Sequence, residues 1–249
     1  MIELKSKEQI ALIRESGKIL YDVLHEAGAC IKAGMSSWDV DQIIGSKIFK
    51  AGATAAFLNY NGFPGFSCIS VNEEVIHGIP SKKRILKEGD LVGIDIGVNY
   101  KGYISDSAYT FTIGKITPQE ERLLIDTKLA LEAGINAALV GNRVSDISKA
   151  IYEKVKAYGV VYEYCGHGVG FQVHEEPMIP NVVQGGGGNT RLKPGMVIAI
   201  EPMVNLGTAS VRLLQDNWTV VTKDGKKSAH YEHTVAITED GPLILTAKP

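Results

Sequence analysis

Two stretches decide the fold of this chain: Leu86–Asp95, which reads LKEGDLVGID, and Leu192–Glu201, which reads LKPGMVIAIE. Their positions align without a gap at an offset of 106 residues, and each apolar run ends on a carboxylate. The helical segments ahead of them also match at that offset, with HEAG at His25–Gly28 and LEAG at Leu131–Gly134. A chance match between two generic strand starts is the alternative, but it leaves the helical match unexplained. We therefore predict a duplicated half-domain, folded into one domain with pseudo-two-fold symmetry.

The remaining elements follow the order helices, strands, helices, strands. A capping box at Ser6 begins the first helix, and the second begins near Ser36–Ser37. Thr117, followed by proline, begins a third helix that runs to about Ala138, and a fourth begins near Ser145. Strand-like runs are Cys68–Val71, Leu91–Val98, Tyr109–Ile113, Val197–Ile200, Trp218–Thr222 and Thr234–Thr238. This order predicts an α+β fold with a mainly antiparallel sheet covered by helices.

The domain organisation follows from the repeat. We predict a single catalytic domain over residues 1–249, with half-repeats of approximately 1–115 and 116–249. The segment Gln184–Asn189, QGGGGN, resembles an interdomain linker. At this length we interpret it as a surface loop rather than a domain boundary.

The composition excludes several classes of protein. The chain has 249 residues and a net charge of −2, which gives no indication of a nucleic-acid or membrane partner. Its three cysteines, Cys30, Cys68 and Cys165, form no C-x-x-C pair, which argues against a disulfide framework or a structural zinc site. The N-terminal residues carry charges throughout and do not form a signal peptide. We therefore expect a cytoplasmic protein with reduced thiols.

Four carboxylates occupy strand positions where apolar residues are expected. Asp95 and Glu201 each interrupt an apolar run, and burial of a carboxylate is costly unless it is paired or binds a cation. Asp106 opens a strand eleven residues after Asp95, a spacing that suits a hairpin. In the second half, Glu232 opens the strand His233–Thr238. A salt bridge could explain any one of them alone. Because no comparable cluster of basic residues interrupts these strands, the set of four favours a dinuclear metal site.

Three histidines lie in turns close to these strands. His167 stands between glycines in GHGVG, where the backbone allows a close approach. His77 lies in HGIP and His174 in HEEP, matching H-x-x-P turns with one in each half. A lone histidine in a loop is usually only solvated, but three in such turns beside acidic strands indicate a shared site.

The other histidines and the cysteines are assigned no chemistry. We expect His25 on a helix face, His230 exposed, and His233 pointing out of the site by strand alternation from its neighbour. No Gly-x-Ser-x-Gly elbow, P-loop or dinucleotide fingerprint occurs in the sequence. Cys68 and Cys165 lack a nearby base, so we interpret them as packing or pocket-lining residues.

These motifs resemble those of the methionine aminopeptidases, specifically the short bacterial type I form, over essentially the whole chain. Five residues occur in the order and spacing of that family: Asp95, Asp106, His167, Glu201 and Glu232. The resemblance implies the pita-bread fold, a pseudo-symmetric α/β domain. It also implies an aminopeptidase that removes the initiator methionine of nascent proteins and peptides with two divalent metal ions: Co, Mn, Fe or Zn.

The resemblance also assigns a role to each ligand. Asp106 and Glu232 would bridge the two metal ions. Asp95 would complete one metal site, whereas His167 and Glu201 would complete the other. We expect no nucleic-acid or membrane partner and a monomeric protein.

Further roles follow from the same resemblance. Glu201 would also move the proton during hydrolysis, and His77 and His174 would contact the substrate, His174 at the developing oxyanion. Residues at the positions of the methionine pocket are Tyr60, Cys68 and Trp218. Asn72 and Ser228 match positions that help to bind one monovalent cation in some members.

Some positions depart from the pattern of the family. Phe57, Phe63 and Val173 replace other residues of the pocket, and Gly97 and Ala199 replace threonines that lie two positions from a ligand in some members. The departures affect the expected shape of the pocket and leave the five ligands unchanged.

Three other functions share this fold. A Xaa-Pro peptidase uses the same five ligands but usually carries an added N-terminal domain. A non-catalytic binding module would have lost ligands, and all five are present here. A metal-independent relative such as the creatine hydrolases would also lack the intact set.

Overall fold

The computed structural model describes residues 2–183 and 189–248, so the predicted surface loop at 184–189 lies almost wholly outside the described residues. Its helices are α1 Lys7–Cys30, α2 Ser37–Lys50, α3 Pro118–Ala137 and α4 Val144–Val155, with a short 3₁₀ turn at Tyr60–Gly62. The described strands are β1 Thr54–Ala55, β2 Cys68–Val71, β3 Glu74–Ile76, β4 Leu91–Tyr100, β5 Tyr103–Thr112, β6 Gly159–Val160, β7 Gly166–Gly168, β8 Glu175–Ile179, β9 Val197–Ile200, β10 Met203–Asn205, β11 Val211–Leu213, β12 Val220–Thr222, β13 Ser228–His230, β14 His233–Thr238 and β15 Gly241–Ile244.

The helices begin where their capping residues predict. Ser6, Ser36 and Thr117 each accept a hydrogen bond from the backbone of the third helical residue, which returns a side-chain bond to the cap. The fourth helix begins at Val144, one residue before the predicted start. None of the described helices combines the length and the hydropathy needed to cross a membrane.

The strands pair antiparallel, as predicted, but in four small sheets instead of one. In the first half, β4 forms a hairpin with β5 along its whole length, and β1 and β2 pair with successive parts of the other edge of β4. Lys101 and Gly102, which form the hairpin turn, have φ values of 55° and 85°, as a two-residue type I′ turn requires. In the second half, the order is β15-β14-β9-β7-β8. The two remaining sheets have three strands each.

The predicted repeat recurs in the backbone. An isolated bridge joins Ser36 to Ile85 in the first half, and its counterpart joins Arg143 to Arg191. The hydrogen bond from Gly34 N to Leu86 O is likewise matched by one from the Gly141 amide to Leu192. Each helix pair is therefore attached in the same way to the strand that carries a carboxylate.

The matching glycines of HEAG and LEAG mark where a helix approaches its sheet. A β-carbon at Gly28 would lie 2.1 Å from Phe111 Cε1 on β5. A β-carbon at Gly134 would lie 2.8 Å from Ile151 Cγ1 on α4 and 3.2 Å from Ile200 Cγ2 on β9. The distances of 2.1 and 2.8 Å are shorter than atoms can approach, so only glycine allows this packing. The helices thus form one outer layer, and the opposite side of the strands is left for the carboxylates.

Candidate metal centre and its cavity

A cavity of about 150 Å³ collects the predicted site residues from both halves. Ten of its lining residues are those selected from the sequence: Tyr60, Cys68, His77, Asp95, Asp106, His167, His174, Glu201, Trp218 and Glu232. Phe57, Asn61 and Phe63 complete the lining. The sequence therefore located the residues of one cavity that spans the two halves.

The two aspartates lie on one face of the β4–β5 hairpin. Asp95 pairs with Ala108, and Asp106 pairs with Gly97, so the carboxylates are diagonal neighbours rather than directly opposite. Asp106 lies in the middle of β5 instead of opening a strand, because β5 begins at Tyr103. The hairpin predicted from their spacing is present, with a longer second strand.

The two glutamates lie at the same end of the paired strands β9 and β14. Glu201 follows β9 and Glu232 precedes β14, and the last residue of β9, Ile200, pairs with the first of β14, His233. The backbone carbonyl of Glu201 also accepts a hydrogen bond from Asn181 Nδ2 at 3.1 Å. Each half of the chain thus contributes two carboxylates.

Side-chain hydroxyls join the two halves beside these carboxylates, and we call this contact the hydroxyl seam. Thr234 Oγ1 donates to the Asp106 carbonyl at 2.7 Å and accepts from the Asp106 amide at 2.9 Å. Ser107 Oγ donates to the Glu232 carbonyl at 2.5 Å, and Thr110 Oγ1 donates to the His230 carbonyl at 2.8 Å. The seam fixes the backbones of Asp106 and Glu232 relative to each other.

His167 reaches the carboxylates because glycines flank it. A β-carbon at Gly166 would lie 2.3 Å from the Ala199 carbonyl, so the narrow strand β7 fits beside β9 only without side chains there. His167 Nδ1 lies 2.9 Å from the Gly168 carbonyl, which can only accept, so Nδ1 carries the hydrogen. The unprotonated Nε2 then points into the cavity, 3.4 Å from Glu201 Oε1.

The donor atoms of this cluster fit a divalent metal. One donor atom each from Asp106, His167 and Glu232 lies within 4.8 Å of the others. Buried oxygens of Asp95, Asp106 and Glu232 have no hydrogen-bond partner among the described residues. In that same part of the chain, no lysine or arginine forms an ion pair with any of the four carboxylates. Buried oxygens that lack a protein partner are those that a metal ion would satisfy.

Burial sets the protonation of the metal-free cluster. Burial, assisted by neighbouring carboxylates, raises the pKa of Asp95 to about 7 and holds the pKa of Asp106 and Glu232 well above their usual range. Burial also raises the pKa of Glu201 to about 8. In contrast, burial lowers the pKa of His167 to about 3, so its ring stays neutral. A divalent cation reverses the preference of the carboxylates, since it favours their charged forms.

The two remaining histidines lie around the cluster. His174 Nδ1 lies 3.0 Å from Tyr60 Oη, and the His174 ring centroid lies 4.2 Å from that of His167. His77 adopts a left-handed backbone, with φ of 57°, and its ring stands edge-on to Trp218 at 6.3 Å. Both H-x-x-P turns therefore direct their histidines to the cavity, as predicted.

A buried ion pair holds the segment that carries His174. Lys5, just before α1, forms an ion pair with Glu175, and their side chains are 1% and 11% exposed. The other oxygen of Glu175 accepts hydrogen bonds from the amides of Phe171 and Gln172 at 2.7 and 2.9 Å. We call this contact the N-terminal clamp, because it attaches the chain start to the turn of His174.

Aromatic rings form the apolar wall of the cavity. Phe63 packs edge-on against Trp218, with 5.1 Å between centroids. Phe57 fills the space beside Gly97, where a β-carbon would lie 2.6 Å from its ring. Two departures from the family pattern are thus coupled, since Phe57 takes the room that a side chain at 97 would need. Val173 is buried but does not line the cavity.

The sequence prediction for His230 is wrong. We expected it to be exposed, but it is 4% exposed on β13, with Nε2 3.4 Å from Glu201 Oε2. No local signal marked it, because β13 ends at His230 and β14 begins at His233, so strand alternation does not relate His230 to Glu232. His233 is absent from the lining of the cavity, in agreement with its prediction.

The chain is similar to known proteins along its whole length. The sequence matches metallopeptidase family M24 over residues 11–239. It is 48% identical to a methionine aminopeptidase of Aquifex aeolicus, with 98% of each chain covered, and 49% identical to methionine aminopeptidase 1 of Bacillus subtilis, with 99% of each covered. The crystal structure of the methionine aminopeptidase from Thermotoga maritima superposes with a TM-score of 0.94 at 40% identity over 100% of both chains. A prolidase from Pyrococcus furiosus gives a TM-score of 0.81 at 27% identity, with 99% of this chain but 66% of the prolidase covered.

Proposed function

Because the chain belongs to metallopeptidase family M24, and along its full length to the methionine aminopeptidases within it, we propose a role for each residue of the cavity in releasing an N-terminal methionine. The protein is a metal-dependent hydrolase that removes the N-terminal methionine from proteins and peptides. The observation that carries the residue assignments is the convergence of both halves on buried carboxylates without basic partners.

Five residues would hold two divalent metal ions. Asp106 and Glu232 would each supply carboxylate oxygens, and the hydroxyl seam fixes their backbones relative to each other. Asp95 would complete one site, and His167 with Glu201 the other, in accord with the 3.4 Å between the latter two. Oxygen ligands with one imidazole suit Co, Mn, Fe or Zn. Bound ions would supply a Lewis acid that polarises the peptide carbonyl and acidifies water.

The protein groups around the ions would handle protons and developing charge. Glu201 would carry the proton from water to the departing amine, because its carboxylate borders both His167 and the cavity. If the Tyr60 hydroxyl donates to His174 Nδ1, the hydrogen of His174 stands on Nε2, where it can stabilise the oxyanion. His77, which also lines the cavity, would hydrogen-bond the scissile peptide nitrogen.

The apolar wall would bind the methionine side chain. Tyr60, Cys68 and Trp218 line the cavity, and aromatic rings make favourable contacts with a thioether sulfur. Burial holds the pKa of the Cys68 thiol well above its usual value, which suits a packing role rather than a nucleophilic one. Phe57 and Phe63 extend this wall.

The wider organisation is proposed on the same grounds. The chain would be one catalytic domain with half-repeats of approximately 1–115 and 116–249, supported by the matched bridges of the helix pairs. It would act on nascent proteins in the cytoplasm as a monomer, and its three cysteines are free. A monovalent cation would bind near Asn72 and Ser228, which are joined by a hydrogen bond of 2.9 Å between Ser228 N and the Asn72 carbonyl.

The experiment that tests this function is the release of free methionine from the peptide Met-Ala-Ser. Metal-stripped protein is assayed with and without added Mn²⁺ or Co²⁺, and N-acetylated Met-Ala-Ser and an Ala-Pro peptide serve as controls. We expect metal-dependent release from the free peptide and none from the acetylated one. Preferential cleavage of the Ala-Pro peptide would instead assign the protein the activity of a Xaa-Pro peptidase. The absence of cleavage with any metal would refute the residue assignments.

A further inference from the structure

We propose that His230 is a positioning residue: its ring holds Glu201 Oε2 and thereby turns the other carboxylate oxygen, Oε1, towards His167 and the metal positions. The inference rests on the proposed role of Glu201 as a metal ligand. It assigns a task to a histidine that the five-ligand set leaves unused.

The Glu201 carboxylate lies between two imidazole rings. Its Oε1 is 3.4 Å from His167 Nε2, and its Oε2 is 3.4 Å from His230 Nε2. His230 Nε2 is buried and has no hydrogen-bond partner among residues 2–183 and 189–248. A carboxylate oxygen can only accept, so the ring must carry its hydrogen on Nε2 to satisfy both atoms. A small shift of the carboxylate would close this contact into a hydrogen bond.

The backbone of His230 is held in place by both halves of the chain. Its amide donates to Thr110 Oγ1 at 2.9 Å, and Thr110 Oγ1 donates to its carbonyl at 2.8 Å. His230 also pairs with Met203, two residues after Glu201, across the β10–β13 ladder. The main chain that carries the donor is therefore fixed relative to Glu201 on two sides. Outer partners of this kind orient a ligand and set its affinity for metal.

The test compares His230→Leu, which removes the donor, with His230→Gln, which supplies an amide donor of similar reach. The main readout is Mn²⁺ affinity of the stripped protein by calorimetry, which does not depend on turnover. We expect a loss of about 10-fold to 100-fold in H230L, the range seen when such outer partners are removed. The Mn²⁺ affinity of H230Q should lie within a few-fold of that of the parent. In peptide assays, H230L should show a lower kcat with little change in KM. The variants should rank in the same order by kcat as by Mn²⁺ affinity.

A matched histidine elsewhere serves as control. His25 packs on Tyr21 and on the rings of β5, away from the cavity, so H25L and H25Q should bind Mn²⁺ like the parent. Should H230L fail to fold, His230→Asn takes its place, because its shorter amide cannot reach Glu201 Oε2. Parental Mn²⁺ affinity in folded H230L or H230N would overturn the inference. So would an H230Q variant as weak as H230L, since the ring would then act by something other than donation. Failure of the parent to release methionine would instead count against the proposed function, and the calorimetry distinguishes the two.

Discussion

The N-terminal clamp offers the sharpest test of the energetics, through the substitution Lys5→Met. The methionine keeps the length of the side chain but leaves the Glu175 carboxylate, 11% exposed, without a cation. Removal of one partner of a buried ion pair typically costs about 3–5 kcal/mol. Glu175 retains two backbone donors, so we expect the lower end, about 3 kcal/mol. For a chain of this size that loss corresponds to a decrease in Tm of about 6–12 °C.

The control is the exposed pair Lys47–Glu26, whose side chains are 30% and 61% exposed. Lys47→Met should lower the free energy of unfolding far less than Lys5→Met does, as exposed pairs contribute little. Urea unfolding of metal-stripped protein, followed by circular dichroism, measures both. The double variant K5M/E175Q should recover part of the loss, because the uncompensated charge is gone. The electrostatic reasoning would be refuted if K5M lost no more unfolding free energy than K47M, or if the double variant were no more stable than K5M.

Three further predictions concern the cavity. Glu201→Gln should lower methionine release by at least about 100-fold without loss of the fold, as expected for a general base and ligand; near-parental turnover would exclude the assignment. Gly97→Ala should cost about 1–3 kcal/mol in urea unfolding, because its β-carbon would lie 2.6 Å from the Phe57 ring, and F57L/G97A should recover stability; an unaffected single variant would contradict the packing. Metal-stripped protein should lose stability as the pH rises from about 6.5 to about 8, because the pKa of folded Asp95 is raised to about 7 and that of Glu201 to about 8, so the folded state still binds protons that the unfolded state has released. The buried histidines, whose pKa is lowered in the folded state, alter stability only below about pH 6.5, their unfolded value. Mn²⁺ should remove the loss, and flat stability of the stripped protein over this range would contradict the sign.

Local patterns predicted much of the fold. Capping boxes at Ser6, Ser36 and Thr117 depend on residues three apart, so the sequence displays them directly. The repeat was visible because both halves need the same glycine near the end of a helix and the same acidic end to a strand. Asp95 and Glu201 were singled out because a carboxylate in an apolar run stands out against its neighbours, whereas the full set of five expected ligands came from the order and spacing that resemble the family.

Long-range contacts explain what the sequence did not predict. The strand predicted at Tyr109–Ile113 starts earlier in the structure, at Tyr103, so that Ser105 and Ser107 are buried inside β5. Their burial depends on partners far along the chain, such as the Glu232 carbonyl. His230 was misplaced for the same reason, because it follows the basic Lys226-Lys227 and only tertiary contacts cover it. The division into four sheets also depends on pairings that no local pattern encodes.

The hydroxyl seam has a consequence for the order in which the molecule folds. Its hydrogen bonds join residues 120 to 128 positions apart, including those between Thr234 and Asp106. Contacts of such high sequence separation slow folding, because the entropy of closing a long loop is lost before the contacts form. The first half can form its hairpin as it leaves the ribosome, but the hydroxyl seam that holds Asp106 cannot form until Thr234 has been made. With the proposed ligands, the metal ions would therefore bind late in the synthesis of this chain, once both halves have docked.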